Sequence, residues 1–249
     1  MEQLYGLIGY PLEHSFSEKY FKGKFKKEKI EKIRYLNFPL KTIEELPSLV
    51  NDHPYLLGLN VTIPYKEKVI PFLDNLDPVA AKVGAVNTIR ISREDERIIL
   101  TGYNTDVFGF EAALLENWNP SGKKAIVLGS GGAAKAVLYV LKKLNITATI
   151  VSRKLKGPGI LSYKQLNREL LLENLLIINA TPLGMFPAID LYPSIPYHFL
   201  TERHFLFDLI YNPPQTQFLY LGQKQGARVC NGQKMLEKQA EGSWDIWRK

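Results

Sequence analysis

The chain has 249 residues, 45% of them hydrophobic, one cysteine and a formal net charge of +7. That length holds one large domain or two of ordinary size, and the apolar fraction excludes a disordered chain. A lone cysteine, Cys230, excludes an internal disulfide and a cysteine metal cluster.

No apolar run is long enough to cross a bilayer, and the opening Met1-Glu2-Gln3-Leu4-Tyr5-Gly6 lacks the pattern of a signal peptide. The expectation is a soluble, cytoplasmic protein with no membrane partner. Much of the positive excess sits in Lys22, Lys24, Lys26, Lys27, Lys29 and Lys32, interleaved with Glu28 and Glu31. That interleaving describes a solvated helix and loop rather than a groove reader. No zinc-finger, RNP or basic-zipper pattern accompanies it, so no nucleic-acid partner is expected. The four histidines show no paired ligand spacing, and no metal is expected.

In chain order, residues 5–9 read as a first strand, followed by a loop to Ser17 and a helix through Tyr20, Phe21 and Phe25. Residues 33–38 form a second strand, 43–50 a helix and 56–61 a third strand running into Thr62-Ile63-Pro64-Tyr65-Lys66. Pro64 is placed to start a helix. Residues 86–91 and 97–103 read as a hairpin turning over 92–96. A helix over 105–115 opens a second unit, whose strands are expected near 125–128, 148–151, 175–179, 204–210 and 227–230 in a mostly parallel sheet. The final helix, 233–247, carries Met235, Leu236, Ala240, Ser243, Trp244 and Trp247 on one stripe, so it packs on something.

The most informative local pattern is Ala125-Ile126-Val127-Leu128 followed by Gly129-Ser130-Gly131-Gly132-Ala133-Ala134 and a helical run. Four apolar residues without alternation suit a strand buried on both faces. Strand, Gly-x-Gly-x-x-Ala and helix together form the dinucleotide-binding fingerprint. Gly129 allows the tight turn, Gly131 lets the backbone approach a pyrophosphate, and the helix N-terminus offers N–H donors to it. An NAD-preferring site places a carboxylate about 20 residues further on. Here the next strand ends in Ser152-Arg153-Lys154, whose cations suit a 2′-phosphate and favour NADP.

Chemistry is sought at strand ends. Lys66 follows the polar strand-end residues Asn60 and Thr62, and Asp106 lies in Gly102-Tyr103-Asn104-Thr105-Asp106, where the first unit hands over to the second. A lysine and an aspartate that meet make a proton-transfer pair, whereas Asp106 alone is equally a helix-cap residue. Ser15, Ser17, Thr62, Asn87 and Tyr211 supply hydroxyls and an amide for a polyhydroxylated substrate, although each also suits a turn or cap. Gln239 falls on the apolar stripe of the last helix, where its amide needs a partner.

Taken in order, these segments resemble the shikimate dehydrogenase family from the first strand to the last helix. Residues Gly9 to Ser17 resemble its substrate loop. Asn60-Val61-Thr62-Ile63-Pro64-Tyr65-Lys66 is similar to its most specific motif, in which the lysine is catalytic. Gly84-Ala85-Val86-Asn87-Thr88 and the segment ending in Asp106 are similar to the motifs carrying a substrate asparagine and the catalytic aspartate. Gly129 to Ala134, Asn179 to Met185 (with Thr181) and Tyr211-Asn212-Pro213 resemble its cofactor and tyrosine segments. Met235 to Ala240 resembles the helix whose glutamine, here Gln239, reaches the substrate.

The resemblance implies an α/β protein of two α/β domains: a substrate domain over 1–101, and a Rossmann-type NADP-binding domain over 102–232, with the C-terminal helix 233–249 returning to the first. It implies reversible NADP-dependent reduction of 3-dehydroshikimate to shikimate, with Lys66 and Asp106 catalytic and a small-molecule substrate held by Ser15, Ser17, Thr62, Asn87, Tyr211 and Gln239. The cofactor residues it implies are Gly129, Ser130, Gly131, Gly132, Ala133, Ser152, Arg153, Thr181 and Met185; Lys154 is added on charge alone. Alternatives on the same fold are a quinate/shikimate enzyme with broader substrate or NAD use, and a non-catalytic NADP-binding regulator. A monomer or homodimer is expected. The chain departs from the family pattern at Glu18, where proline is usual, at Tyr20-Phe21, at Gly232-Gln233 and at Ser152-Arg153-Lys154.

Overall fold

In the computed structural model, which describes residues 3–13, 15–95, 97–119, 124–153 and 159–249, the backbone divides into two units. One is Met1–Thr105 with Gln239–Lys249, the other Asp106–Lys238. The sequence boundaries at 101/102 and 232/233 lie slightly earlier in the chain. In the first unit the last strand continues to Tyr103, and the Thr105 backbone N–H donates to Asn87 Oδ1 at 2.7 Å. At the second boundary the Gly232 N–H donates to the Ile210 carbonyl at 2.9 Å, which holds the start of the final helix to the second unit.

The first unit contains β1 (Gln3–Gly9), α1 (Ser17–Lys27), β2 (Ile33–Pro39), α2 (Leu46–Asp52), β3 (Leu56–Val61), β4 (Asn75–Leu76), α3 (Pro78–Val83), β5 (Thr88–Glu94) and β6 (Arg97–Tyr103). The strand order is β2-β1-β3-β5-β6-β4. β1 is parallel to β2 and β3, and β5 is antiparallel to β3 and β6. Alternation along β1 explains its central place. Ile8 joins a core with Leu46, Leu59 and Ile89 on one face of the sheet, and Tyr5 and Leu7 join Phe21, Phe25 and Tyr35 in another cluster.

Two local expectations are corrected here. The hairpin turn is tighter than 92–96, because pairing continues through Ser92↔Ile99 to Glu94↔Arg97, with Asp95 at φ +55°. Pro64 starts no helix: residues 62–69 form successive turns, with the Tyr65 N–H donating to the Thr62 carbonyl at 2.9 Å. The sequence reading also passed over α3, although Asp77 before Pro78 is a legible cap, its Oδ1 accepting from the Val79 N–H at 2.9 Å.

The second unit contains α4 (Asp106–Asn117), β7 (Lys124–Leu128), α5 (Gly132–Lys143), β8 (Thr147–Val151), β9 (Ile160–Leu161), α6 (Arg168–Glu173), β10 (Leu176–Asn179), β11 (Phe205–Asp208), α7 (Gln217–Lys224) and β12 (Arg228–Cys230). Its sheet runs β12-β11-β10-β7-β8-β9, and every pairing is parallel. The central strands are buried on both faces, as their continuous apolar runs require. Ile126, Ile177, Leu206 and Phe218 share one core cluster, while Phe207 meets Phe110 of α4 with ring centroids 5.2 Å apart.

The last helix, α8 (Gln233–Trp247), begins in the second unit and belongs to the first from Gln239 onward. Ala240, Trp244 and Trp247 enter the Tyr5, Phe21 and Tyr35 cluster. Trp247 stacks on Tyr5 at 4.8 Å and donates its indole N–H to the Ile89 carbonyl at 2.9 Å. It lies over Gly58, where a Cβ would collide with the indole. Burying an aromatic ring of this size contributes about 2–3 kcal/mol, which anchors the helix to the sheet.

Lys24 departs from the solvated lysine run. Its side chain is 9% exposed and bonds both Glu28, at 2.6 Å, and Glu241 of α8, at 2.8 Å. Burial lowers its pKa, but the two carboxylates outweigh that and hold it above the ordinary lysine value. No described helix is long and apolar enough to cross a membrane.

Candidate functional site

Most of the residues expected to hold substrate belong to the first unit, and its polar groups are organised around the end of β3, the start of β5 and α8. Gly9 closes β1 so tightly that a Cβ there would strike the Thr62 methyl. The Tyr10 N–H donates to the Ile63 carbonyl at 3.1 Å, and the Thr62 N–H to the Ile8 carbonyl at 2.9 Å. The loop bearing Ser15 and Ser17 and the turn bearing Thr62 and Lys66 therefore leave neighbouring strand ends. Ser15 and Ser17 are half-buried, and the Ser17 N–H donates to Ser15 Oγ at 3.3 Å. Ser17 is also a hydrogen-bonding neighbour of the Tyr35 phenol, whose pKa burial drives well above the ordinary tyrosine value.

Lys66 is half-buried in the turn after β3, and its carbonyl accepts from the Val86 N–H at 2.7 Å. That bond fixes the lysine backbone beside the segment carrying Asn87. Asn87 is 2% exposed, and its amide is hydrogen-bonded on both sides. Nδ2 donates to Thr105 Oγ1 and to Gln239 Oε1, each at 2.9 Å, while Oδ1 accepts from the Thr105 N–H at 2.7 Å. The amide that the sequence placed on an apolar stripe thus has its partner.

Ser243, one turn beyond Gln239, is the hub beneath this pair. Its Oγ lies 2.7 Å from Thr88 Oγ1, accepts from Asn60 Nδ2 at 2.9 Å and donates to the Gln239 carbonyl at 3.0 Å. Asn60 Oδ1 in turn accepts from the Tyr35 hydroxyl at 2.8 Å. Sequence reasoning placed Ser243 only as a packing residue and gave Thr88 no role. A hydroxyl on an otherwise apolar helix stripe was the available signal.

The second unit carries the glycine turn, and Asp106 as the first residue of α4, 1% exposed. Gly129 has φ +111°, and a Cβ there would come within 3.0 Å of the Ala180 carbonyl oxygen. Gly131 caps the N-terminus of α5 in an extended conformation, and a Cβ on it would meet nothing within 4 Å. The first turn of α5 contains Gly132 and Ala133, which leave its backbone uncovered by long side chains. Ser130 Oγ lies 3.2 Å from Ser152 Oγ, tying this turn to the end of β8. Arg153 is exposed in the next position, and Lys154 lies outside the described residues.

Thr181 follows β10, donating from its N–H and its hydroxyl to Asn179 Oδ1 at 3.0 and 2.6 Å. Met185, 42% exposed, ends the same turn. Tyr211 is half-buried after β11. Between these two turns sits Asp208, fully buried and overlooked by the sequence reading despite being a charge on an apolar strand. Its carboxyl is raised to about 6 by burial, against hydrogen bonds from Thr216, Ile210 and Asn179 that favour the ionised form.

The chain that carries this glycine turn and these polar groups is similar to known proteins along nearly its whole length. A family model described as the shikimate dehydrogenase substrate binding domain matches residues 7–89. A relative from Clostridium beijerinckii, named shikimate dehydrogenase (NADP(+)), is 40% identical over 256 residues, spanning 99% of this chain and 92% of its own. The chain belongs to the shikimate dehydrogenase family. Among solved members, shikimate dehydrogenase 1 from Peptoclostridium difficile superposes with a TM-score of 0.87 at 34% identity, covering 99% of this chain and 92% of that one. Another shikimate dehydrogenase, solved in complex with NADP+, gives 0.85 at 34% identity over 99% of this chain and 90% of its own. The two α/β domains expected from the sequence, with α8 returning to the first, are the architecture of the shikimate dehydrogenase fold.

Proposed function

We propose that the chain catalyses the reversible, NADP-dependent reduction of 3-dehydroshikimate to shikimate, a step of aromatic amino-acid biosynthesis. The observation that carries this reading is the match along nearly the whole chain to enzymes named for that activity; Lys66, Asn87, Asp106 and Gln239 are the residues to which the family resemblance assigns the chemistry.

The second unit fits a dinucleotide. Gly131 leaves the space a Cβ would fill open, no side chain caps the N-terminus of α5, and Arg153 adds a cation where an NAD-type site would have a carboxylate. Gly129, Ser130, Gly132 and Ala133 would line the pyrophosphate, Ser152, Arg153 and Lys154 the 2′-phosphate end, and Thr181 and Met185 the far side. When bound, NADPH supplies the hydride.

The chain's own residues do the rest. Ser15, Ser17, Thr62, Asn87, Tyr211 and Gln239 are assigned to the hydroxyls and carboxylate of the substrate. Asn87 and Gln239 restrict each other to one orientation, which suits a polyhydroxylated ring better than two free amides would. Lys66 and Asp106 are assigned the proton on the C3 oxygen: it is given as the carbonyl becomes an alcohol and taken back in the reverse direction. Such a group contributes about 10²–10⁴-fold. The reading carries with it a cytoplasmic enzyme acting as a monomer or homodimer.

The test mixes the protein with NADP+ and shikimate and follows NADPH absorbance, with the Lys66→Ala protein, quinate and NAD+ in parallel. Rapid NADPH formation that vanishes in the variant is the expected result. Faster turnover of quinate or NAD+ would move the chain to the broader quinate/shikimate class. Binding of NADPH without turnover of either substrate would make it a regulator.

A further inference from the structure

The ends of β10 and β11 are adjacent and parallel, and the open α/β rule places ligands outside such carboxyl ends. The turn after β10 carries Thr181 and Met185; the turn after β11 carries Tyr211. One buried carboxylate links the side chains of the two turns. Asp208 Oδ1 accepts from Asn179 Nδ2 and from the Ile210 N–H, each at 3.0 Å, and Oδ2 accepts from Thr216 Oγ1 at 2.6 Å. Asn179 then passes the constraint on, since its Oδ1 takes both the N–H and the hydroxyl of Thr181.

The turns also meet directly. The Phe186 N–H donates to the Asn212 carbonyl at 3.2 Å, and Gly184, at φ +98°, packs where a Cβ would come within 3.4 Å of the Thr216 side chain. A buried carboxylate is expensive to keep, and an apolar residue would fill this strand end at lower cost. Its presence therefore calls for a task that apolar packing does not do.

We propose that Asp208 is a positioning residue, which sets the Asn179–Met185 turn and the Tyr211 turn in the one arrangement that receives the nicotinamide end of NADP(H). The proposal rests on the reading of the second unit as the NADP-binding domain. Asp208 touches neither substrate nor cofactor; it acts through Asn179, Thr181 and the backbone of Ile210.

The test measures the NADPH dissociation constant by fluorescence titration, beside urea unfolding, for wild type, Asp208→Asn, Asp208→Ala and Thr216→Val. Asp208→Ala strands the buried donors and is expected to weaken NADPH binding about tenfold. Asp208→Asn keeps the Oδ1 acceptor for both N–H groups and turns an N–H toward Thr216, so it should stay within about twofold of wild type. Thr216→Val removes one bond of three and should weaken binding about threefold. It also removes the cap of α7, so Asp77→Ala, which uncaps α3 in the first unit, serves as a control that lowers stability and leaves NADPH affinity unchanged.

Folded Asp208→Ala with unchanged NADPH affinity overturns the proposal. If that variant does not fold, Thr216→Val decides: weakened binding supports the proposal and unchanged binding overturns it. Wild-type protein that binds no NADPH overturns instead the functional reading on which the proposal rests.

Discussion

Asn87 and Gln239 stand 152 positions apart in the chain, yet the Asn87 amide donates to Gln239 Oε1 at 2.9 Å. Rotation of either side chain breaks this bond. Replacing Gln239 by Leu removes this acceptor from Asn87 Nδ2, which keeps its bond to Thr105 Oγ1. The KM for shikimate should rise about tenfold, with a smaller fall in kcat and no change in the KM for NADP+. Gln239→Glu keeps an acceptor at that place and should recover part of the loss. Steady-state kinetics on both substrates checks this, and an unchanged shikimate KM would reduce Gln239 to packing.

Lys66→Ala and Asp106→Asn test the assigned chemistry separately from binding. Each is expected to lower kcat by about 10²–10⁴-fold while NADPH affinity stays at the wild-type value. Parallel loss of turnover and cofactor binding would point to a folding defect.

Arg153 is exposed just after β8 and is the residue proposed to meet the 2′-phosphate of NADP. Arg153→Ser should raise the KM for NADP+ about ten- to a hundredfold, the worth of a charge-assisted hydrogen bond, and leave that for NAD+ unchanged. Kinetics with the two cofactors at fixed shikimate gives the answer.

Two glycines predict opposite effects of the same substitution. At Gly58 a Cβ would run into the Trp247 indole, so Gly58→Ala should destabilise the first unit by about 1–3 kcal/mol. At Gly23, inside α1, a Cβ meets nothing within 4 Å, and Gly23→Ala should stabilise by about 0.5–1 kcal/mol. Urea midpoints of the two variants against wild type should move in opposite directions.

Asp208 makes stability depend on pH in a definite sense. Its carboxyl is raised from 3.8 to about 6, so between those values the folded chain holds a proton that the unfolded chain has released. The group's contribution is therefore full below pH about 4 and is lost as pH rises through 6, by up to about 3 kcal/mol. Asp208→Asn cannot titrate. Its stability relative to wild type should improve between pH 4 and pH 7, and a constant difference in urea midpoints would contradict the assignment.

The sequence by itself determined the local elements and much of the family membership. The strand, glycine turn and helix over 125–143 were legible because their signals lie within a few residues: an unbroken apolar run, then glycines, then helical spacing. The Lys66 motif and the terminal helix were legible in the same way. Local signals also misled, as when Pro64 suggested a helix that the turns at 62–69 replace. Only the tertiary structure decided that Lys24 is buried against Glu241, that Ser243 joins Asn60 to Thr88, and that Asp208 holds two turns together. The physical reason is range. Periodicity and turn chemistry act between neighbours in the chain, whereas a buried hydrogen bond depends on which strands pair and in what register, a choice made by the packing of the whole unit.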